Sequence, residues 1–173
     1  MDIKMMTMAL LQFGLALFSG ILIMYLAFSL IRRFLLQRFP NAYTNPAFGI
    51  LCAAILFSVG YLMSGIVAPA VSFFRIQSGQ LTSTDYLVFR FFQYLLLFAG
   101  IGLAVSLLVN FVSLRLFNFL TRDVDEMEEI RKGNIAVALI AAAILVVISL
   151  FVRDSVVFLL ESMIPYPEVP NLR

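Results

Sequence analysis

Charged residues fall along this chain at intervals that leave four long uncharged runs. Between Lys4 and Arg32 lie 27 residues, between Arg38 and Arg75 lie 36, between Arg90 and Arg115 lie 24, and between Lys132 and Arg153 lie 20. A helix needs roughly 20 apolar residues to cross a hydrocarbon core of about 30 Å, so each run is long enough, the last only just. The pattern predicts spans near 8–31, 46–73, 88–114 and 134–152. Lipid offers a bare backbone no hydrogen-bond partner, and runs this long and uniformly apolar do not read as barrel strands, which leaves helices. The expected fold class is all-α: a polytopic membrane protein of four transmembrane helices, with residues 1–173 forming a single integral membrane domain.

Local signals mark the ends of these runs. The first contains small residues such as Ser19 and Gly20 after Lys4, as a signal peptide would, but its apolar stretch is too long and stops at Arg32-Arg33, so it reads as a retained span. The second opens on Asn45-Pro46 and the fourth on Gly133-Asn134. Asn45 and Asn134 are expected to cap their helices, with Gly133 allowing a tight turn into the membrane. A cap of this kind contributes about 1 kcal/mol, and Asn134→Ser or Asn134→Asp should largely restore what Asn134→Ala loses. Pro69, following Gly60 and Gly65, predicts a kink or an early exit from the second helix.

The two halves of the chain resemble each other. A shift of 89 positions places Asn45 on Asn134, Ala47 on Ala136 and Ala53-Ala54-Ile55-Leu56 on Ala142-Ala143-Ile144-Leu145. A shift of 84 places Ala16 on Gly100, Gly20 on Ala104 and Ser29-Leu30 on Ser113-Leu114. These matches predict two copies of a helix pair, at about 8–74 and 88–164. Each copy would cross twice, which makes the repeats parallel rather than inverted. Ala16, Gly20, Gly100 and Ala104 form small-xxx-small steps expected to pack helices closely, between the copies or between protomers. The segments after the first and third spans carry Arg32, Arg33, Arg38, Arg115, Arg122, Arg131 and Lys132, seven basic residues against five elsewhere. The positive-inside rule then puts those segments in the cytoplasm and both termini in the periplasm or outside the cell.

Composition narrows the chemistry. Hydrophobic residues make up 62% of the chain and charged residues 13%, with a mean hydropathy of +1.02, against a soluble norm near 45–50% apolar and about 25% charged. With no histidine and no tryptophan, and with Cys52 alone inside an apolar run, histidine acid–base chemistry, the usual zinc sites and an intrachain disulfide are excluded. No cofactor or metal is expected, and a net charge of +2 without a basic stripe gives no reason to expect nucleic acid. No carboxylate lies within a span, which argues against a proton-coupled transporter built from one chain.

The polar residues inside or beside the spans are Gln12, Ser29, Gln93, Asn110 and Ser113. Asn110 reads first as interhelical hydrogen-bonding glue and second as a pore or substrate contact. Arg90 reads first as an interfacial side chain, snorkelling or paired with Asp85, and second as an anion-attracting charge; Arg153-Asp154 raises the same question. The segment 115–133 holds Asp123, Asp125, Glu126, Glu128 and Glu129, with Leu116, Leu120, Val124, Met127 and Ile130 at steps of three or four. It predicts an amphipathic helix continuing the third span, with Glu128 and Lys132 paired at i,i+4, serving as a connector or as a docking surface through Asp125, Glu128 and Glu129.

The segment Glu129-Ile130-Arg131-Lys132-Gly133-Asn134-Ile135-Ala136-Val137-Ala138 resembles the E-I-x-x-G-N-x-A-x-A element of an uncharacterised bacterial inner-membrane family, the domain-of-unknown-function 350 or YjfL-like proteins. The first half carries a reduced form, Asn45-Pro46-Ala47-Phe48-Gly49, without the acidic residue and without glycine before the asparagine. The resemblance implies four helices in two tandem copies and a multi-pass inner-membrane location, and carries over no activity. The expected role is that of a non-enzymatic scaffold or subunit of a membrane assembly, partnered by lipid and by further copies or other membrane subunits. The runner-up is a small oligomeric channel or transporter, in which symmetry gathers Asn110 or Arg90 into a ring.

Overall fold

The computed structural model describes residues 3–35, 42–78, 84–120 and 126–164, and within them every regular element is helical. In chain order these are α1 (Ile3–Phe34), α2 (Pro46–Ser64), α3 (Val67–Ser78), α4 (Thr84–Leu120), α5 (Glu126–Arg131) and α6 (Ile135–Glu161). Four stretches are long and apolar enough to cross a membrane: Ala16–Phe34, Pro46–Phe73, Phe92–Leu120 and Ile135–Glu161. The chain is thus a multi-pass, all-helical membrane protein. Its fourth span does not stop near residue 152, because α6 continues unbroken to Glu161 and takes up the apolar stretch Val156–Leu160. Pro165 and Pro167, residues that cannot continue a helix and so are expected to end it from the sequence, lie outside the described residues.

The centre of the bundle is α2, which packs against α6, α4 and α1. It is apolar all round, as a central membrane helix should be, and it buries Ala47, Phe48, Leu51, Ala54, Ile55, Ser58, Val59, Leu62 and Met63. The largest interface is with α6, whose Ala138, Ala141, Leu145, Ser149, Val156 and Leu160 recur at helical spacing along one stripe. Alanines in the first half of both helices let their axes approach where lipid supplies no hydrophobic drive. By contrast the described side chains of α1 bury a narrow line, Ile23, Ala27 and Ile31, and most of the large ones among them face outward.

The second span breaks at Gly65–Ile66, and Pro69 explains where. Proline has no N–H for the Gly65 carbonyl four residues earlier, and its ring clashes with that carbonyl in a continuous helix. The Gly65 and Ile66 amides turn back instead to Leu62 O (3.3 Å) and Met63 O (3.0 Å) before α3 resumes. Beyond the break, α3 packs on α4 through Phe73, whose ring stacks on Tyr94 with centroids 4.0 Å apart.

Close approach between helices falls on glycines other than the expected ones. A Cβ at Gly20 or Gly100 would meet nothing within 4 Å, whereas one at Gly102 would lie 2.7 Å from Ile66 Cδ1 and one at Gly65 2.6 Å from Val157 Cγ2. Ala16 is half-buried, Ala104 is exposed, and Gly100 lies in an open lateral hollow with Gln93, Leu96 and Leu97. The expected packing of Gly20 and Gly100 within the chain is therefore corrected. Two residues along a helix turn by about 200°, so Gly102 faces α2 while Gly100 faces away.

Candidate functional site: a joined pair of helix caps

The starts of α2 and α6 lie side by side, linked through α5. At α2, Asn45 has extended backbone (φ −92°, ψ 109°) and its Oδ1 accepts from the Phe48 amide at 3.2 Å, with Pro46 at the first helical position. At α6, Asn134 (φ −71°, ψ 98°) accepts from the Val137 amide at 3.4 Å. Each cap satisfies one of the amides that a helix start leaves without an internal partner.

The intervening turn is written into Glu129–Asn134. The Gly133 amide bonds Ile130 O (3.0 Å) and the Asn134 amide bonds Glu129 O (2.9 Å), the paired bonds of a Schellman helix end. Gly133 has φ +90°, a conformation that costs a residue with a Cβ dearly, so glycine suits the place. Helix α5 thus closes and α6 opens across three residues, Lys132, Gly133 and Asn134.

Asn45 also does something its own helix does not require. Its Nδ2 donates to the carbonyls of Ile130 (2.7 Å) and Arg131 (3.1 Å), at the end of α5. One amide therefore caps the start of α2 and takes up two terminal carbonyls of α5. The other end of α5 is anchored on α4: in the amide orientation that satisfies both groups, Asn118 Nδ2 donates to Glu126 Oε2 (3.1 Å) and to Leu114 O (3.0 Å). Glu126 is buried, and so is Ile130 beneath it. The short helix is held by α2, α4 and α6 together as a plate over the bundle end.

The face of this plate is charged and exposed. Glu128 pairs with Arg131 at 3.3 Å and Glu129 with Lys132 at 3.0 Å. These pairs stand at i,i+3, because α5 ends at Arg131 and Lys132 already belongs to the turn. The third span runs on past residue 114 as α4 to Leu120, and of the described residues of the expected stripe Ile130 is buried while Leu116, Leu120 and Met127 are exposed. Asp125 and Val124 lie outside the described residues.

Asn134 Nδ2 donates to Glu129 Oε2 at 3.0 Å. That bond, followed by the bond and charge of Lys132, holds the Glu129 carboxyl below its ordinary pKa. A lowered folded-state value means that the Glu129 contribution is whole above the ordinary carboxylate range and is lost as pH falls through the lowered value. Asn134→Ser keeps a capping oxygen and should recover most of the roughly 1 kcal/mol lost in Asn134→Ala. Asn134→Asp should not, contrary to the expectation from capping alone, because it sets a second carboxylate against Glu129 and removes the donor. Thermal unfolding of the three variants should rank Ser above Ala and Asp at neutral pH. Acidification should close the gap for Asp as the carboxyls protonate, and an Asp variant as stable as Ser at neutral pH would contradict the arrangement.

A second polar group sits inside the bundle. Asn110 is buried in α4 and its Nδ2 donates to Ser58 Oγ of α2 (3.1 Å) and to Ser106 O (2.8 Å). Ser113 bonds back to Val109 O at 2.7 Å, and Ser149 of α6, also fully buried, bonds back to its own helix. At a rise of 1.5 Å per residue, Ser58 lies about 18 Å and Ser149 about 21 Å along their helices from the capped ends, within a hydrocarbon core about 30 Å thick. Asn110 Oδ1 and Ser106 Oγ are buried with no hydrogen-bond partner. Arg90 is half-buried near the start of the third span, with a partner of its own, while Ser29 and Gln93 are exposed.

Four apolar spans, a proline-broken central helix and a capped helical plate at one end define a multi-pass membrane protein. The family model of the Domain of Unknown Function DUF350 matches residues 4–156, and the chain belongs to that family. The matched region includes both caps, the plate and the buried Asn110 group. No curated protein matches the chain. No solved structure matches it either.

Asn118, Glu126 and the second bond set of Asn45 were not legible in the sequence. An amide among apolar residues, in Phe117-Asn118-Phe119, was the one available signal.

Proposed function

We propose that this protein is a non-enzymatic integral scaffold, or a subunit, of a bacterial inner-membrane assembly, with the α5 plate as its cytoplasmic docking surface and both termini on the other side. The observation that carries the reading is the double use of Asn45, which fixes a six-residue helix to the starts of two spans. A helix that short has no stability of its own. Anchoring it at both ends preorganises an exposed charged face, and preorganisation lowers the ordering cost of binding. The bias of basic residues toward this end supports the cytoplasmic side. The similar starts of α2 and α6 support descent from a duplicated helix pair, and the partners in view are further copies of the chain or other membrane subunits.

The runner-up, a small oligomeric channel or transporter, draws on Asn110 Oδ1 and Ser106 Oγ, acceptors buried within the third span without partners. Charge reversal on the plate separates the two. Glu128→Lys with Arg131→Glu keeps a pair of opposite charges, so stability should change by less than about 1 kcal/mol. On the scaffold reading, the assembly recovered by gentle solubilisation loses mass in this variant while reconstituted vesicles carry no flux. Flux through the wild type that Asn110→Leu abolishes, with no change of assembly on charge reversal, would establish the channel instead.

A further inference from the structure

Arg153 stands far from the capped end and breaks the apolar run of α6. At 1.5 Å per residue it lies about 27 Å along the helix from Ile135, at the far edge of the hydrocarbon. Its guanidinium lies over the Tyr61 ring of α2, 5.2 Å from the centroid, and Tyr61 in turn stacks on Phe57 with centroids 5.8 Å apart and planes 7° from parallel. The arginine is therefore held on an aromatic shelf presented by the neighbouring span α2. A cation over a ring face is stabilised by the ring quadrupole, and more so when partly desolvated.

The charge on this shelf is poorly neutralised. Its ion-pair partner Asp154 is the next residue, 3.5 Å away, with a side chain 93% exposed, whereas the Arg153 side chain is 34% exposed. An exposed pair of this kind contributes little. Arg153 Nε is buried without a hydrogen-bond partner. Phe57, stacked on Tyr61, is itself exposed.

We infer that Arg153 and Tyr61 form a seat for the phosphate of a phospholipid headgroup in the leaflet at the α6 C-terminal end. A phosphate takes two parallel bonds from a guanidinium fork, and Arg153, its side chain 34% exposed, is presented at headgroup depth with Asp154 as a weak partner at 3.5 Å. The acyl chains then lie along Phe57, about 6 Å nearer the capped end than Tyr61. The site is independent of the docking role of α5, because it lies at the opposite end of the spans.

The test uses the purified full chain, stripped of lipid in detergent and titrated with phosphatidylglycerol, with diacylglycerol of the same chains, or with inorganic phosphate, bound lipid being counted by native mass spectrometry. Phosphatidylglycerol should bind the wild type and bind Arg153→Gln about tenfold more weakly, while Arg33→Gln, an exposed arginine at the other membrane face, binds as the wild type does. Equal retention by Arg153→Gln, equal binding of diacylglycerol, or displacement of the lipid by millimolar inorganic phosphate would each overturn the inference. The last outcome would assign the seat to a free anion. Should Arg153→Gln fail to fold, Arg153→Lys keeps the charge but loses the planar fork. It should still bind several-fold more weakly than the wild type, and unchanged affinity in that variant overturns the seat equally.

Discussion

Gly65→Ala is expected to destabilise the protein by about 1–3 kcal/mol, the usual range for overpacking a tight interior. The added Cβ would come 2.6 Å from Val157 Cγ2 and 3.2 Å from Leu62 O. Neither neighbour yields easily: valine is stiff about χ1, and the carbonyl belongs to the turn that ends α2. Against this, Gly→Ala gains roughly 0.4–1 kcal/mol by restricting the unfolded chain, and Gly65 has an ordinary helical φ of −65°, so the steric term decides the sign. Val157→Ala removes the obstructing methyl and should rescue the variant, giving a coupling measurable in a double-mutant cycle. Gly102→Ala should cost less, because its contacts at 2.7 and 2.9 Å are the far ends of Ile66 and Met63. Gly100→Leu should change the stability of the isolated chain by no more than about 0.5 kcal/mol. Equal losses at positions 65 and 100 in denaturant unfolding would contradict the packing described.

Asn45→Ala should be the most damaging change at the capped end. It removes the α2 cap, at roughly 0.5–2 kcal/mol, and two bonds to terminal carbonyls of α5, each with a net contribution of about 0.5–1.5 kcal/mol. Since the plate is partly exposed and water replaces some of these bonds, a total of about 2–3 kcal/mol is expected. Asn45→Asp divides the two roles, since a carboxylate retains the capping oxygen and loses both donors. It should keep α2 intact while amide exchange in α5 accelerates strongly, whereas Asn45→Ala should accelerate exchange in both helices. Protection of α5 unchanged by Asn45→Asp would show that the tie to Ile130 and Arg131 does not hold it.

The contrast between these sites explains what the sequence could disclose. The four spans were legible because lipid forces apolar runs to be helices, and a run bounded by charges reports its own ends. The caps at Asn45 and Asn134 and the turn at Gly133 were legible because capping is local, settled within three or four residues. The break near Gly65 followed from Pro69 for the same reason. What could not be read is whatever depends on which faces meet. Gly100 and Gly102 are separated by one residue and are equally small, and only the position of α2 decides which is packed. The small-residue step chose the outer one. The tie from Asn45 to α5 spans 85 residues of sequence to Ile130, and no spacing rule reaches that far. Likewise Glu126 was one acid among five in a polar segment, and its burial depends on Asn118 standing above it at the end of α4.

As a docking surface, the exposed face of α5 would lie in the cytoplasm and be covered by a partner in the native membrane. This arrangement is tested most directly by thiol labelling of Glu128→Cys in a Cys52→Ala background with a membrane-impermeant reagent. No labelling is expected in intact spheroplasts, slow labelling in inside-out vesicles, and rapid, complete labelling once the chain is purified to homogeneity. Labelling from the outside of intact spheroplasts, or equal rates in inside-out vesicles and in the purified chain, would contradict it.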